Sequence, residues 1–356
     1  MGITVPHTLE SLESEVRTQV NRHLERQLAR YARSAAVLDE GYGRLLKALQ
    51  DVLAAGGKRL RPLLTVLAYR GYGGTNNAIL QVAAAQELLH MGLIIHDDII
   101  DRDFVRHGVN NIGGQYRAYY RGYTDGAHFA DAAALLAGDL ALSYAHQEII
   151  EAGFSAEQRL AALATLSQSF MQVVGGELLD VEAALGERKG ELALKISYAK
   201  TATYSFVGPL VTGAQLAGVQ PTAMAQLQAF GSDLGIAFQL ADDLLGVFGE
   251  EHRTGKPVLH DLREGKRTYL LECLEVHLEG AEAQEVAAIV GNQQATIQEL
   301  KLVRDLMETT GARVEVERVM EQYAAQARSH IPQLGVAATA ESVFDQLVDR
   351  VLWRSA

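Results

Sequence analysis

Cysteine and proline are scarce in this sequence, and their scarcity already narrows the choices. A single cysteine, Cys273, in 356 residues excludes an internal disulfide framework and leads us to expect a reducing, cytoplasmic setting. With only 6 prolines, long stretches run without a helix breaker. No run approaches the ~20 apolar residues of a membrane span. The richest one, Leu88 to Ile95, is short and leads straight into carboxylates, as a buried helix does. Met1 to His7 lack both a basic leader and an apolar segment of signal-peptide length. Positive charge is also in deficit, with 32 Lys and Arg against 44 Asp and Glu. The net charge of -12 argues against nucleic acid as a partner, which demands a basic face, but a few local cations still suffice for a small phosphorylated ligand.

What fills the chain is Ala, Leu, Gln and Glu, all good helix formers. Leu9, Leu12, Val16, Val20, Leu24 and Leu28 recur three and four apart, which predicts an amphipathic helix. Breaks fall at glycine clusters such as Gly56-Gly57, Gly71 to Gly74 and Gly108 to Gly114, and a longer one runs from Gly249 to Gly265. No strand–helix alternation with glycine fingerprints is present, so a doubly wound sheet is not expected. No linker, low-complexity tract or repeat divides the chain. The expectation is one all-α domain, a large helical bundle, in which an N-terminal amphipathic segment (1–39) is continuous with the body (40–356).

Carboxylates are the most informative residues. Asp97 and Asp101 are four apart in His96-Asp97-Asp98-Ile99-Ile100-Asp101 and so share one helical face, with Asp98 about 100° aside. Like charges at this spacing repel unless a cation lies among them, and Mg²⁺ takes oxygen ligands from carboxylates and substrate phosphates. The run also reads as a solvated acidic helix end, although negative charge at a helix C-terminus opposes the helix dipole. A second adjacent pair, Asp242-Asp243, again ends an apolar helical stretch, Phe238 to Ala241. A third candidate, Glu177 with Asp180, reads equally as a salt-bridged pair.

Cations stand where a phosphate would need them. Lys58 and Arg61 are three apart after a glycine turn, where a helix start would add free N–H groups. Arg106 and His107 follow the first carboxylates, and Lys200-Thr201 sits past mid-chain. Lys256 and Lys266 follow glycines beyond the second pair, as in a lid carrying charge toward a ligand.

In this order the motifs resemble those of the trans-polyprenyl (isoprenyl) diphosphate synthases: Gly57-Lys58-Arg59-Leu60-Arg61-Pro62, His96 to Asp101, Arg106-His107-Gly108, Gly176-Glu177 with Asp180, Lys200-Thr201, Phe238 to Asp243, and Asp261 to Arg267. The resemblance spans roughly residues 40 to 350. It implies antiparallel helices around a deep central cavity, the isoprenoid-synthase architecture. It also implies Mg²⁺, up to three ions, on Asp97, Asp101 and Asp242, with Asp98 in the same catalytic group. The allylic diphosphate falls to Arg106, Lys200, Lys256 and Lys266, and isopentenyl diphosphate to Lys58, Arg61, His90 and His107. Thr201 and Gln239 would face the developing allylic cation. Gly92, five before the first aspartate, with Leu89 one turn deeper, would form an open floor and predict a C20 or longer product; Gly92 also reads as a close-packing site between helices. A homodimer is expected.

Two positions depart from the family pattern. His107 stands where an arginine is common, and Gly246 where the second motif usually ends in aspartate. A class I terpene cyclase and a regulatory subunit of a heteromeric synthase are the alternatives. The isopentenyl cations speak against the first, and the intact aspartates against the second.

Overall fold

The computed structural model describes residues 5–106, 108–183, 192–249 and 259–352. Helix dominates, as expected, and the strands among the described residues are a two-residue pair, β1 (Val105–Arg106) and β2 (Val109–Asn110), antiparallel with Arg106 opposite Val109. Contacts divide the chain into two compact units, Met1–Ala164 with Thr212–Gly218, and Thr165–Val211 with Val219–Ala356.

The first unit opens with α1 (Leu9–Leu38), which is capped by the Thr8 side chain accepting from Ser11 N. Leu9, Leu12, Val16, Val20, Leu24 and Leu28 are all buried, the stripe that the spacing predicts. Asp39 ends α1 and caps α2 (Glu40–Ala54) by accepting from Gly41 N at 2.7 Å and Tyr42 N at 3.2 Å. The rest of α1 is tied to its own unit. Glu15 takes Arg70 in a two-pronged pair at 2.8 and 3.1 Å, and His23 meets the fully buried Glu148 at 2.7 Å.

Next come α3 (Leu60–Gly71) and α4 (Ile79–Ile100), whose residues Val82 to Leu89 are all buried. Helix α4 is long and apolar enough by composition to cross a membrane, more so than the sequence reading allows. However, 67% of its most apolar 18-residue window lies inside the protein, the property of a core helix. Its main partner is α6 (Gly126–Glu151), which turns Ala134, Ala137, Ala141 and Ala145 inward, and small side chains let the two backbones approach closely. Between them in sequence lies α5 (Ile112–Tyr119), and α7 (Ala156–Ala183) starts in this unit.

In the second unit α7 continues and is followed by a short α8 (Ala193–Ile196) and an eleven-residue π-helix, Ser197–Val207. Helix α9 (Gly208–Leu216) begins here and continues in the first unit from Thr212, and the long α10 (Pro221–Phe248) follows in the second. Helix α10 packs on the π-helix with almost nothing between them: a Cβ built on Gly235 would lie 2.5 Å from Ala202 Cα. The core is pinned by edge-to-face rings, Phe206 with Phe238 and Phe230 with Phe344, each at 5.2 Å. The unit is completed by α11 (His260–Glu264), α12 (Tyr269–His277), α13 (Gly280–Ile289), α14 (Ile297–Thr309), α15 (Ala312–His330) and α16 (Ala338–Leu352).

Candidate active site

In the first unit, the last turn of α4 sorts its aspartates. Asp98 points inward and is 5% exposed, whereas Asp97 and Asp101 are partly exposed on the face they share. Arg106, on β1, donates to Asp98 Oδ1 from Nη2 at 2.5 Å and Nε at 3.0 Å, and its Nη2 lies 3.8 Å from Asp97 Oδ2. Burial pushes the Asp98 carboxyl above its ordinary range, against the opposing pull of Arg106. Asn111, which the sequence reading passed over, holds this corner together. Its side chain helps hold the Asp98 carboxyl down, donates to Asp103 O at 2.8 Å, and caps α5 by accepting from Gly114 N at 2.9 Å. An asparagine immediately before a helix was the available signal.

Lys58 is exposed and Arg61 half-buried on either side of Arg59, and the helix expected after the glycine turn begins at Leu60. His90 is half-buried on α4 and Leu89 is buried. Gly92 lies close against α6: a Cβ there would lie 2.8 Å from Leu142 Cγ and Cδ2 and 3.1 Å from Gly138 O.

The second unit builds its own polar cluster. Lys200 Nζ lies 2.7 Å from Asp180 Oδ2 and 2.8 Å from Glu177 Oε2, so the third acidic candidate is a salt-bridged partner of that lysine. The π-helix turns Thr201 toward α10, and its hydroxyl donates to Gln239 Oε1 at 2.6 Å. Gln239 Nε2 in turn donates to Asp243 Oδ1 at 2.8 Å. Asp243 is buried, and burial raises its carboxyl well above the usual range; Asp261, Asp242 and Asp180 push the same way, against the donation from Gln239. Its neighbour Asp242 is exposed. Lys266 Nζ sits 3.2 Å from Glu264 Oε2 and 3.8 Å from Asp261 Oδ1. His107 and Lys256 lie outside the described residues.

Both motifs follow one rule. One aspartate turns in and is held by a protein donor, and the outward positions carry only carboxylate oxygens, with Arg106 beside Asp97 in the first motif. A hard divalent cation and a polyanion suit that donor set, which has no thiolate or imidazole at the ligand positions.

The polyprenyl synthetase family model matches residues 43–307. The chain belongs to the polyprenyl synthetase family. This prenyltransferase family includes the geranylgeranyl diphosphate synthase of Sulfolobus acidocaldarius, 32% identical over 74% of this chain and 77% of that protein. The geranylfarnesyl diphosphate synthase of Aeropyrum pernix is 31% identical over 87% and 94%. The crystal structure of geranylgeranyl pyrophosphate synthase from Corynebacterium glutamicum, complexed with isoprenyl diphosphate and magnesium, superposes with a TM-score of 0.90. It is 31% identical and covers 97% of this chain and 99% of its own. The all-α fold and the family expected from the motifs are both borne out.

Proposed function

We propose that this polyprenyl synthetase joins isopentenyl diphosphate head-to-tail to an allylic prenyl diphosphate, making an all-trans product of C20 or longer. The sorting of the aspartates carries the reading. Asp98 and Asp243 are held inward by Arg106 and Gln239, while Asp242 is exposed and Asp97 and Asp101 are half-exposed. Asp97, Asp101 and Asp242 are the proposed Mg²⁺ ligands, for up to three ions. Bound there, the metal supplies electrostatic stabilisation of the departing diphosphate.

The chain's own residues have separate tasks in this reading. Arg106, Lys200, Lys256 and Lys266 hold the allylic diphosphate, and Lys58, Arg61, His90 and His107 hold isopentenyl diphosphate. Thr201 and Gln239, already hydrogen-bonded to each other at 2.6 Å, present fixed dipoles to the allylic cation as the C–O bond breaks. Water must be kept from that cation, because hydration yields an alcohol. The isopentenyl double bond is itself the nucleophile, and the proton lost afterwards goes to the released diphosphate, so neither a protein nucleophile nor a protein base is required.

Gly92 and Leu89 are the proposed floor that sets product length. A second copy of the chain is the proposed occupant of the apolar face of α7, where Met171, Val174, Leu178 and Val181 are 66%, 51%, 58% and 45% exposed. The unpaired Cys273 fits a cytoplasmic location.

The test is incubation of the purified chain with Mg²⁺, isopentenyl diphosphate and farnesyl diphosphate, with products resolved by mass spectrometry. A linear C20 or longer diphosphate, abolished by EDTA, is expected. A cyclic hydrocarbon, or no turnover without a partner chain, would overturn the reading.

A further inference from the structure

Arg59 stands between the two cations proposed for isopentenyl diphosphate, yet its side chain goes the other way. The residue is 5% exposed, while Lys58 beside it is exposed. Its guanidinium spans four separate parts of the first unit. Nε donates to Asn21 Oδ1 on α1 at 2.7 Å, and Nη2 to Leu53 O near the end of α2 at 3.0 Å. Nη1 donates to Glu87 Oε1 on α4 at 2.7 Å and to Gly56 O in the turn itself at 3.3 Å. Three nitrogens facing four acceptors leave this arginine engaged by protein, and its burial keeps it from a ligand in solvent.

The backbone is shaped for this. Arg59 has φ +52°, in the left-handed region, after Gly56 at +105° and Gly57 at +149°. Gly57 must be glycine for a second reason: a Cβ there would lie 2.6 Å from Arg59 Nη1. The turn therefore folds back over its own arginine, which leaves Lys58 on a turn, and Arg61 in the first turn of α3, with the underside between them anchored. The strongest anchor is Glu87, itself buried and one helical turn before His90 on α4.

We propose that Arg59, through Glu87, is the positioning residue for the isopentenyl diphosphate site. It fixes Lys58 and Arg61 relative to His90 and touches no substrate itself. This rests on the reading that those three residues bind that diphosphate. Lysine cannot replace Arg59 here, because an ammonium lacks the planar fork that reaches Asn21, Leu53 and Glu87 together.

Arg59→Lys and Glu87→Gln test the assignment; the second keeps size and removes only the charge. With allylic diphosphate saturating, each is expected to raise KM for isopentenyl diphosphate about tenfold to hundredfold, the effect of misplacing a ligand-binding group by an ångström. The KM for the allylic diphosphate and kcat should stay within about twofold, because uniform binding at one subsite alone is lost. Titration calorimetry with isopentenyl diphosphate alone should show the same weakening in both variants. A fall in melting temperature with both KM values unchanged overturns the proposal, as does an equal rise in both. Wild-type protein that neither binds nor consumes isopentenyl diphosphate overturns the functional reading and this assignment with it. Wild-type turnover with kinetically normal variants overturns the assignment alone.

Discussion

Asp261 lies against Gly246, so that a Cβ built on the glycine would sit 2.7 Å from Asp261 Oδ2. Position 246 is where the family's second motif commonly ends in aspartate, and here a neighbouring carboxylate already fills that space. Gly246→Asp, which restores the family pattern, should therefore cost stability: two carboxylates would meet beside Asp242 and the buried Asp243. We expect a loss of about 1 to 3 kcal/mol. Gly246→Ala should cost far less, because the flexible end of Asp261 can swing aside. Melting temperatures of the two variants decide the matter, and equal values would refute the charge argument.

Gly176 crosses the π-helix closely enough that a Cβ would lie 2.6 Å from Lys200 N and 2.9 Å from Ala199 C. Backbone atoms cannot yield as a side-chain tip can. Gly176→Ala is expected to lose about 1 to 3 kcal/mol and to shift Lys200, whose ammonium is held between Asp180 and Glu177. Turnover should fall together with thermal stability. An unchanged KM for the allylic diphosphate in this variant would count against a substrate role for Lys200.

Gly92 gives a test that separates packing from chain-length control. Its neighbour across the interface is Leu142, which a Cβ at 92 would approach to 2.8 Å. Gly92→Ala should destabilise by about 1 to 3 kcal/mol, and adding Leu142→Ala should return part of that loss, a coupling that a double-mutant cycle measures. Product length is scored in the same proteins and in Gly92→Phe. If Gly92→Phe folds and makes the wild-type product, Gly92 does not line the pocket.

Cys273 is half-buried on α12, and burial pushes its thiol up to about 11. A raised thiol pKa means that the fold favours the protonated form. That contribution is complete below the ordinary value of 9.0 and is lost as pH rises toward 11. Alkylation by iodoacetamide should accordingly stay slow at pH 8 and accelerate only near pH 11. Cys273→Ser should flatten the decline of stability across that alkaline window. Fast alkylation of folded protein at pH 8 would contradict the burial.

Helix-forming composition and periodicity were enough to read the fold class and the placement of α1, because apolar residues three and four apart can be buried together only on a helix. The start of α3 after Gly56-Gly57 and the motif order were legible for the same local reason. Which of two adjacent residues turns inward was not. Lys58 and Arg59 look alike in the sequence, as do Asp97 and Asp98 or Asp242 and Asp243. Donors and acceptors outside the motif decide between them: Glu87 and Asn21 for Arg59, Arg106 for Asp98, Gln239 for Asp243. The π-helix that carries Lys200 and Thr201 left no periodic signal, and the crowding at Gly92, Gly176 and Gly246 is set by α6, the π-helix and Asp261. Local spacing determines which helices form and which faces are apolar. Only the folded structure determines which polar side chain is buried, because the direction of a side chain is set by the partner it finds.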